Sequence, residues 1–213
     1  IGRMRLQWWI DIMDRVFAGE PPAHQVAVAL SKAVNKFGLE RKKFDALLDA
    51  RAADFEDTPF ATIEELENYA EQTSASLISQ ALKILGQSGD VVQQAGRSVG
   101  TAWALTGLLR AIPFHARQNR SYLPTELVKA SGASIYDGGQ ISKIVSEVSD
   151  RAHDHIRSGR EERKEVPRAA SIALSPAILA EGYLQELMKA DFDPFKTDMK
   201  TILLSTKARF LIK

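Results

Sequence analysis

The sequence has no cysteine among its 213 residues. This absence excludes a disulfide framework, zinc or iron–sulfur sites built on cysteine, and a thiol nucleophile. Glycine and proline, with 13 and 8 residues, are too few for a disordered or collagen-like chain. No apolar run reaches the roughly 18 residues of a membrane-spanning helix. Alternating runs rich in valine, isoleucine and threonine, which are typical of strands, are also absent.

Charge of one sign is not in excess either, because 28 lysines and arginines face 27 aspartates and glutamates. The net charge of +1 argues against a simple electrostatic nucleic-acid binder, so no nucleic-acid partner is expected. The length fits one domain over residues 1–213 with a sizeable core. The chain opens at Ile1 within a predicted helix and without an initiator methionine, so we expect an N-terminal part of the natural chain to be missing.

Helical patterns dominate the sequence and predict an all-α helical bundle. A capping box at Thr62–Glu65 opens one helix, Gly86 stops it, and Ser175–Pro176 starts another. A helix from Asp90 runs to about Ala111, before Pro113. Apolar residues at helical spacing follow the capping box: Leu66, Tyr69, Ala70, Thr73, Leu77, Ala81 and Ile84. Further helices are predicted over 3–18, 24–37, 40–54, 137–160 and 198–212, with a break within 160–176.

Small residues line one face of the predicted helix that begins at Asp90. Three glycines within a helix each cost about 1 kcal/mol relative to alanine, which suggests a positive reason for them. One explanation is the close approach of a neighbouring helix, and the other is the wall of a pocket. The residues recur every three or four positions: Gly96, Gly100, Ala104, Gly107 and Ala111.

The segments Gly100–Ala111 and Asn119–Pro124 resemble the second signature of squalene and phytoene synthases. The resemblance covers roughly residues 1–132, with a looser tail, and it implies a single all-α synthase bundle around a central cavity. Other segments fall in the order and spacing of this family: Arg5–Trp9, Pro22–Val26, Asp54–Phe55 and Glu65–Ala70.

The same resemblance implies that the metal site of the active enzymes has been lost. Active members hold Mg²⁺ with two aspartate-rich motifs and ionise a prenyl diphosphate. The Gln, Asn, Asp and Asp of the second motif match Ala104, Gly107, Ala111 and His115 here. Alanine and glycine offer no side-chain oxygen to a hard cation, and histidine is a poor Mg²⁺ ligand. We therefore expect no catalytic residue, metal or cofactor; the first aspartate motif would lie upstream of Ile1.

The departures from the catalytic pattern resemble a non-catalytic branch, the mitochondrial complex I assembly factor 6 group and its bacterial relatives. The segments that carry this likeness are Ile1–Trp9, Leu109–Arg117 and Asp191–Phe195. The likeness implies a pseudoenzyme that helps to assemble or stabilise respiratory complex I by contacts with its subunits. It also implies a place on the matrix side of the mitochondrial inner membrane, or in the cytoplasm for a bacterial relative.

Two alternatives stay open at this point. The chain can be a permanent structural subunit of a mitochondrial membrane complex, or a divergent Mg-dependent prenyl diphosphate synthase that takes its ligands from a segment upstream. A retained lipid or isoprenoid pocket is compatible with the leading hypothesis.

Charged residues beside the altered motif are candidate contacts for an anionic lipid or another ligand. Arg110, His115, Arg117 and Arg120 form a basic group that can hold a phosphate. Tyr122 and Asp54 complete this candidate set, and an ordinary solvated corner is the alternative. Other features were weighed as weaker signals: the carboxylates Asp49, Asp54 and Asp57, the pair His153 and His155, and the basic amphipathic tail 196–213, which can pack on a membrane surface or on the bundle.

Overall fold

The computed structural model describes residues 1–197, and within that range the chain is helical and contains no strand. The predicted all-α fold is therefore confirmed. The predicted helix over 198–212, and most of the basic tail, lie outside the described residues. The α-helices are α1 Gly2–Phe17, α2 Gln25–Phe37, α3 Arg41–Ala50, α4 Ile63–Ala70, α5 Ser76–Ile84, α6 Asp90–Ala116, α7 Thr125–Ser131, α8 Gly138–Glu162 and α9 Pro176–Lys189.

Tighter or wider turns extend several of these helices. A 3₁₀ turn at Arg51–Phe55 ends α3, and the predicted break before α9 contains two more, at Arg163–Glu165 and Arg168–Leu174. A π turn at Glu71–Ala75 joins α4 to α5. The sequence pattern did not predict the short helix α7, and it predicted α-helix through Asp54, where the chain has already tightened.

Local sequence signals explain where the helices begin. Thr62 Oγ1 accepts a hydrogen bond from the backbone N–H of Glu65 at 3.2 Å, as the capping box predicts. The Glu65 carboxylate reaches back one residue further than expected and accepts from the N–H of Ala61 at 2.7 Å. Pro176 occupies the first turn of α9, where its missing N–H would be unpaired in any case.

Helix α6 is the centre of the molecule. It packs along α8 and also contacts α4, α5 and α9, so it is apolar on several sides rather than along one stripe. A second cluster joins α1, α2 and α3. The main core consists of fully buried aliphatic side chains that include Leu66, Leu105, Leu109, Ile141, Val145, Val148, Leu184 and Leu187.

The end of α6 was predicted wrongly. The expected stop near Ala111 is absent, and the helix continues through Pro113 to Ala116. Proline removes one backbone hydrogen bond from a helix. Ile112 and Ala116 on either side of it are buried, so packing against the core holds the last turn in place.

The inward face of the segment 62–86 changes at the π turn. Before the turn, Leu66, Tyr69 and Ala70 are buried as predicted. The wider turn adds one residue, which rotates the following helix by about 100°. Leu82 is therefore buried, whereas Leu77, which periodicity placed in the core, is 50% exposed.

Candidate functional site

The stripe of small residues on α6 serves two purposes. A Cβ on Gly100 would lie 2.3 Å from Cα of Ala75, and a Cβ on Gly96 would lie 2.6 Å from Leu82 Cδ1. These two glycines therefore allow the π turn and α5 to approach α6 closely. Among residues 1–197, a Cβ on Gly107 would meet nothing within 4 Å. The stripe packs tightly at its N-terminal end and borders open space further along.

The four positions that the sequence predicted to match the second metal motif lie on the open part of this helix. Ala104, Gly107 and Ala111 are half-buried and present no side-chain oxygen. His115 ends the row, with its ring centroid 4.7 Å from that of Tyr122. Within residues 1–197, no group of three or more histidine, aspartate or glutamate side chains is arranged to hold a metal ion.

Asp54 is the centre of a polar network beside this face. Its Oδ1 accepts hydrogen bonds from the hydroxyls of Tyr69 at 2.6 Å and Tyr122 at 3.1 Å. Its Oδ2 accepts from Arg51 Nη1 at 3.0 Å, and the same Nη1 also donates to the Tyr69 oxygen at 2.8 Å. The network joins the 3₁₀ turn after α3 to α4 and to the loop after α6.

Arg120 completes the network from that loop. Its Nη2 donates to the backbone carbonyls of Asp54 and Glu56 and to the Tyr122 hydroxyl. The guanidinium thus fastens residues 54–56 to the loop that follows α6, whose Ser121 N–H also donates to the carbonyl of Asp57 at 3.0 Å. Three predicted ligand contacts, Asp54, Arg120 and Tyr122, are indeed neighbours, and they bond to one another.

Burial shapes the ionisation of this region. The pKa of Tyr69 lies well above its ordinary value, first because of burial and second because its hydroxyl donates to the Asp54 carboxylate. Burial and the nearby Asp54 charge also raise the pKa of Tyr122. The pKa of His115 is lowered, mainly by burial and then by the Arg120 cation. The lowered pKa favours the uncharged imidazole, which adds no positive charge to the predicted basic group.

The predicted basic group does not converge on one point. Arg110 turns towards α9, where its Nη1 donates to the Tyr183 hydroxyl at 2.8 Å and its guanidinium carbon lies 4.7 Å from the ring centroid. Arg117 is exposed at the end of α6. Arg120 is committed to the Asp54 network.

A small enclosed cavity lies between the end of α6 and the loop that follows it. Its volume is about 10 Å³, and its lining includes Leu108, His115, Ser121, Leu123 and Val148. Pockets for small organic ligands usually measure about 300 Å³ or more. This cavity is therefore of a size for water and not for a prenyl chain.

The other sequence candidates are dispersed. Asp49 and Asp57 are exposed. His155 Nε2 lies 3.3 Å from Glu67 Oε1 on α4, whereas His153 lines a groove on another side of α8 with Arg157 and Glu181.

Sequence reasoning missed Arg51, Tyr69 and Tyr183 as members of the site region. For Arg51 a signal was available, because it lies three residues before Asp54 and so faces it across one helical turn. The partners Tyr69 and Tyr183 lie far away in sequence, and no local pattern connects them to Asp54 or Arg110.

Comparison with known proteins places the chain among synthase-like sequences. The family model for squalene/phytoene synthase matches residues 1–208. The chain is 31% identical over 206 residues to "NADH dehydrogenase (ubiquinone) complex I, assembly factor 6" of Bos taurus, covering 94% of this chain and 62% of that protein. The Homo sapiens protein of the same name is 30% identical with the same coverage. The chain therefore spans about three fifths of the length of these relatives.

A presqualene diphosphate synthase of Rhodopseudomonas palustris is more distant, at 24% identity over 185 residues, covering 84% of this chain and 65% of that enzyme. Among solved structures, a squalene synthase from Alicyclobacillus acidocaldarius superposes with a TM-score of 0.79 at 22% identity, covering 89% of this chain and 74% of the other. A dehydrosqualene synthase gives 0.75 at 19% identity, covering 98% and 78%. At these identities the likeness establishes the fold alone.

Proposed function

The chain belongs to the squalene/phytoene synthase family, and from that premise we propose that it is a non-catalytic member that helps to assemble or stabilise respiratory complex I. The observation that carries the proposal is the similarity to proteins named complex I assembly factor 6. It extends along 94% of the chain at about 30% identity. The similarity to the named synthase is lower, at 24% identity.

The chemistry of the altered motif supports the absence of synthase activity. Mg²⁺ takes oxygen ligands in near-octahedral geometry and is usually held by carboxylates and diphosphate oxygens. Ala104, Gly107 and Ala111 supply none, and His115 supplies a neutral imidazole. Half of the metal cage that the reaction requires is missing from this helix.

Any lipid or isoprenoid that the protein retains would bind on the open face of α6 rather than in the enclosed cavity. Space is available beside Gly107, where an added Cβ would meet no atom within 4 Å. The enclosed cavity of about 10 Å³ is far too small for such a ligand. Exposed Arg117 at the end of α6 is the cation we propose for an anionic headgroup, because Arg110 donates to Tyr183 on α9.

We propose complex I subunits as partners, because the assembly-factor relatives are named for that complex. The proposed location is the matrix side of the mitochondrial inner membrane, or the cytoplasm for a bacterial relative. None of the helices described for residues 1–197 combines the length and the apolar character needed to cross a bilayer.

The test is purification of the tagged full-length protein from its own membranes in mild detergent, followed by quantitative mass spectrometry. An assembly factor is expected to recover early complex I subunits in less than equal amounts. The same tag on an unrelated protein of the compartment is the control. Equal recovery with the finished complex would instead identify a permanent structural subunit, and recovery of the protein alone would contradict both roles.

The enzymatic alternative has its own support in the similarity to presqualene diphosphate synthases. It is tested by incubating the full-length protein with farnesyl or geranylgeranyl diphosphate and Mg²⁺, with the Rhodopseudomonas palustris synthase as the positive control. We expect no consumption of substrate above the protein-free background. Magnesium-dependent turnover that chelation abolishes would overturn the non-catalytic assignment.

A further inference from the structure

His115 carries a buried nitrogen that the protein leaves without a partner. Its Nδ1 is inaccessible to solvent and makes no hydrogen bond within the part of the chain that the structure describes. A buried polar atom without a partner costs about 1–3 kcal/mol, so native proteins usually satisfy such atoms with protein groups or ordered water.

The space next to this nitrogen fits one small polar molecule. His115 lines the enclosed cavity of about 10 Å³. A buried water requires roughly 10–15 Å³ of such space and two to four polar partners. The space available is therefore on the scale of a single water molecule.

A second polar group with unused capacity lines the same cavity. Ser121 is buried, and its Oγ accepts a hydrogen bond from the Leu123 N–H at 3.1 Å. Among residues 1–197, its hydroxyl proton has no acceptor. Tyr122 and Arg120 also reach the lining, and the Tyr122 hydroxyl and Arg120 Nη2 are already hydrogen-bonded to Asp54.

We infer that this cavity is a binding site for one ordered water molecule, which bridges Nδ1 of His115 and Oγ of Ser121. The water satisfies both groups and joins the last turn of α6 to the loop that follows it. The position predicted to match a metal-binding aspartate thus holds an imidazole hydrogen-bonded to water. This inference does not depend on the proposed role in complex I assembly.

The direct test is a crystal structure of the full-length protein at a resolution that shows ordered water. We expect one solvent peak within about 2.7–3.2 Å of both His115 Nδ1 and Ser121 Oγ. An empty cavity, a side chain in that space, or a turned imidazole that bonds directly to protein would overturn the inference.

A double-mutant cycle tests the bridge in solution. His115→Phe keeps the ring packed on Tyr122 but removes Nδ1, and Ser121→Ala removes the hydroxyl. Each single change should lower the unfolding midpoint of the full-length protein by about 3 °C. The double variant should lose clearly less than the sum, because both changes disable the same water. If the decreases in midpoint of the two single variants add up to that of the double variant, no water is shared. Ser121→Ala also removes the hydrogen bond to Leu123, but this loss occurs with and without His115 and therefore cancels in the cycle.

Discussion

At the scale of single residues, Asp54 joins three segments that are distant along the chain. Its carboxylate accepts from Arg51, Tyr69 and Tyr122, while Arg120 binds its backbone carbonyl. The side chain is only 27% exposed, so water cannot fully replace these partners. The network thereby fixes the loop after α6, which carries Ser121, against the last turn of α6, which carries His115.

Replacement of Asp54 should therefore destabilise the fold. Asp54→Asn keeps the size of the side chain but removes the charge and leaves tyrosine and arginine donors poorly paired. We expect a loss of about 2 kcal/mol in the free energy of unfolding, measured by urea denaturation. The matched control is Asp49→Asn at an exposed position, which should change stability by less than about 0.5 kcal/mol. Equal effects of the two variants would argue that the network contributes no stability.

His115 should make stability sensitive to acid. Burial and Arg120 lower its pKa in the folded protein, whereas the unfolded chain has the ordinary value of about 6.5. As pH falls below that value, the unfolded state binds a proton before the folded state does. The free energy of unfolding therefore decreases until the folded pKa is reached.

The measurement is urea denaturation at a series of pH values between neutrality and the acid limb. In the His115→Phe variant, the free energy of unfolding should decrease less as the pH falls. His153→Phe is the histidine control, and it should show the same decrease as the wild type. If the free energy of unfolding depends on pH in the same way in His115→Phe as in the wild type, His115 does not contribute to the loss of stability in acid.

The sequence identified Asp54, Arg120 and Tyr122 as residues of interest, yet it could not show that they bond to one another. Asp54 and Tyr122 are 68 positions apart, and no periodicity carries information across that distance. The sequence predicted these side chains as ligand contacts. The Arg120 guanidinium instead donates to two carbonyls and a hydroxyl, so it has fewer N–H groups left for a ligand.

At the scale of helices, Gly100 and Gly107 give opposite predictions on the same helix face. An added methyl group at Gly100 would collide with backbone atoms of the π turn, which cannot move as a side chain can. Gly100→Ala should therefore cost about 3 kcal/mol. Gly107→Ala meets no atom and removes the entropic penalty of glycine, so it should stabilise by up to about 1 kcal/mol. Thermal and urea unfolding of the pair provide the measurement, and destabilisation by Gly107→Ala would contradict the open geometry.

The π turn supplies a second matched pair on α5. Leu82→Ala should cost about 2–5 kcal/mol because it empties a fully buried site. Leu77→Ala should cost about 0.5 kcal/mol, because half of that side chain already faces solvent. In an uninterrupted α-helix, Leu77→Ala would cost more stability than Leu82→Ala. Urea denaturation of the two variants therefore tests whether the π turn rotates the buried face of α5.

These helices show why the residues at which helices begin could be predicted, whereas the face that a helix buries could not. Thr62 and Pro176 act through atoms within one turn, and the sequence displays those atoms directly. The π turn and the continuation of α6 through Pro113 are imposed by neighbouring helices. A Cβ at Gly100 would overlap Ala75, so the packed pair of helices, not either segment alone, determines the local geometry.

At the scale of the whole molecule, the fold is that of squalene synthases, whereas the proposed loss of their chemistry involves only one face of α6. The bundle superposes on a squalene synthase with a TM-score of 0.79, although the positions predicted to match its metal ligands are alanine, glycine, alanine and histidine. The buried core residues of α6 alternate with these positions and face other helices. Replacing the donors on the open face therefore leaves the core intact, and the fold alone does not establish activity.

This separation leads to a prediction about Mg²⁺. The wild-type midpoint of thermal unfolding should not change when about 10 mM MgCl₂ replaces the same ionic strength of NaCl. The variant that combines Ala104→Gln, Gly107→Asn, Ala111→Asp and His115→Asp restores four oxygen donors on one helical face. With a dissociation constant of about 1 mM, binding would add about 1.4 kcal/mol and raise the midpoint by about 3–5 °C. CaCl₂ at the same concentration tests whether the restored site prefers the smaller ion. A Mg²⁺-dependent rise in the wild type would mean that ligands other than these four positions hold a metal, and would revive the synthase alternative.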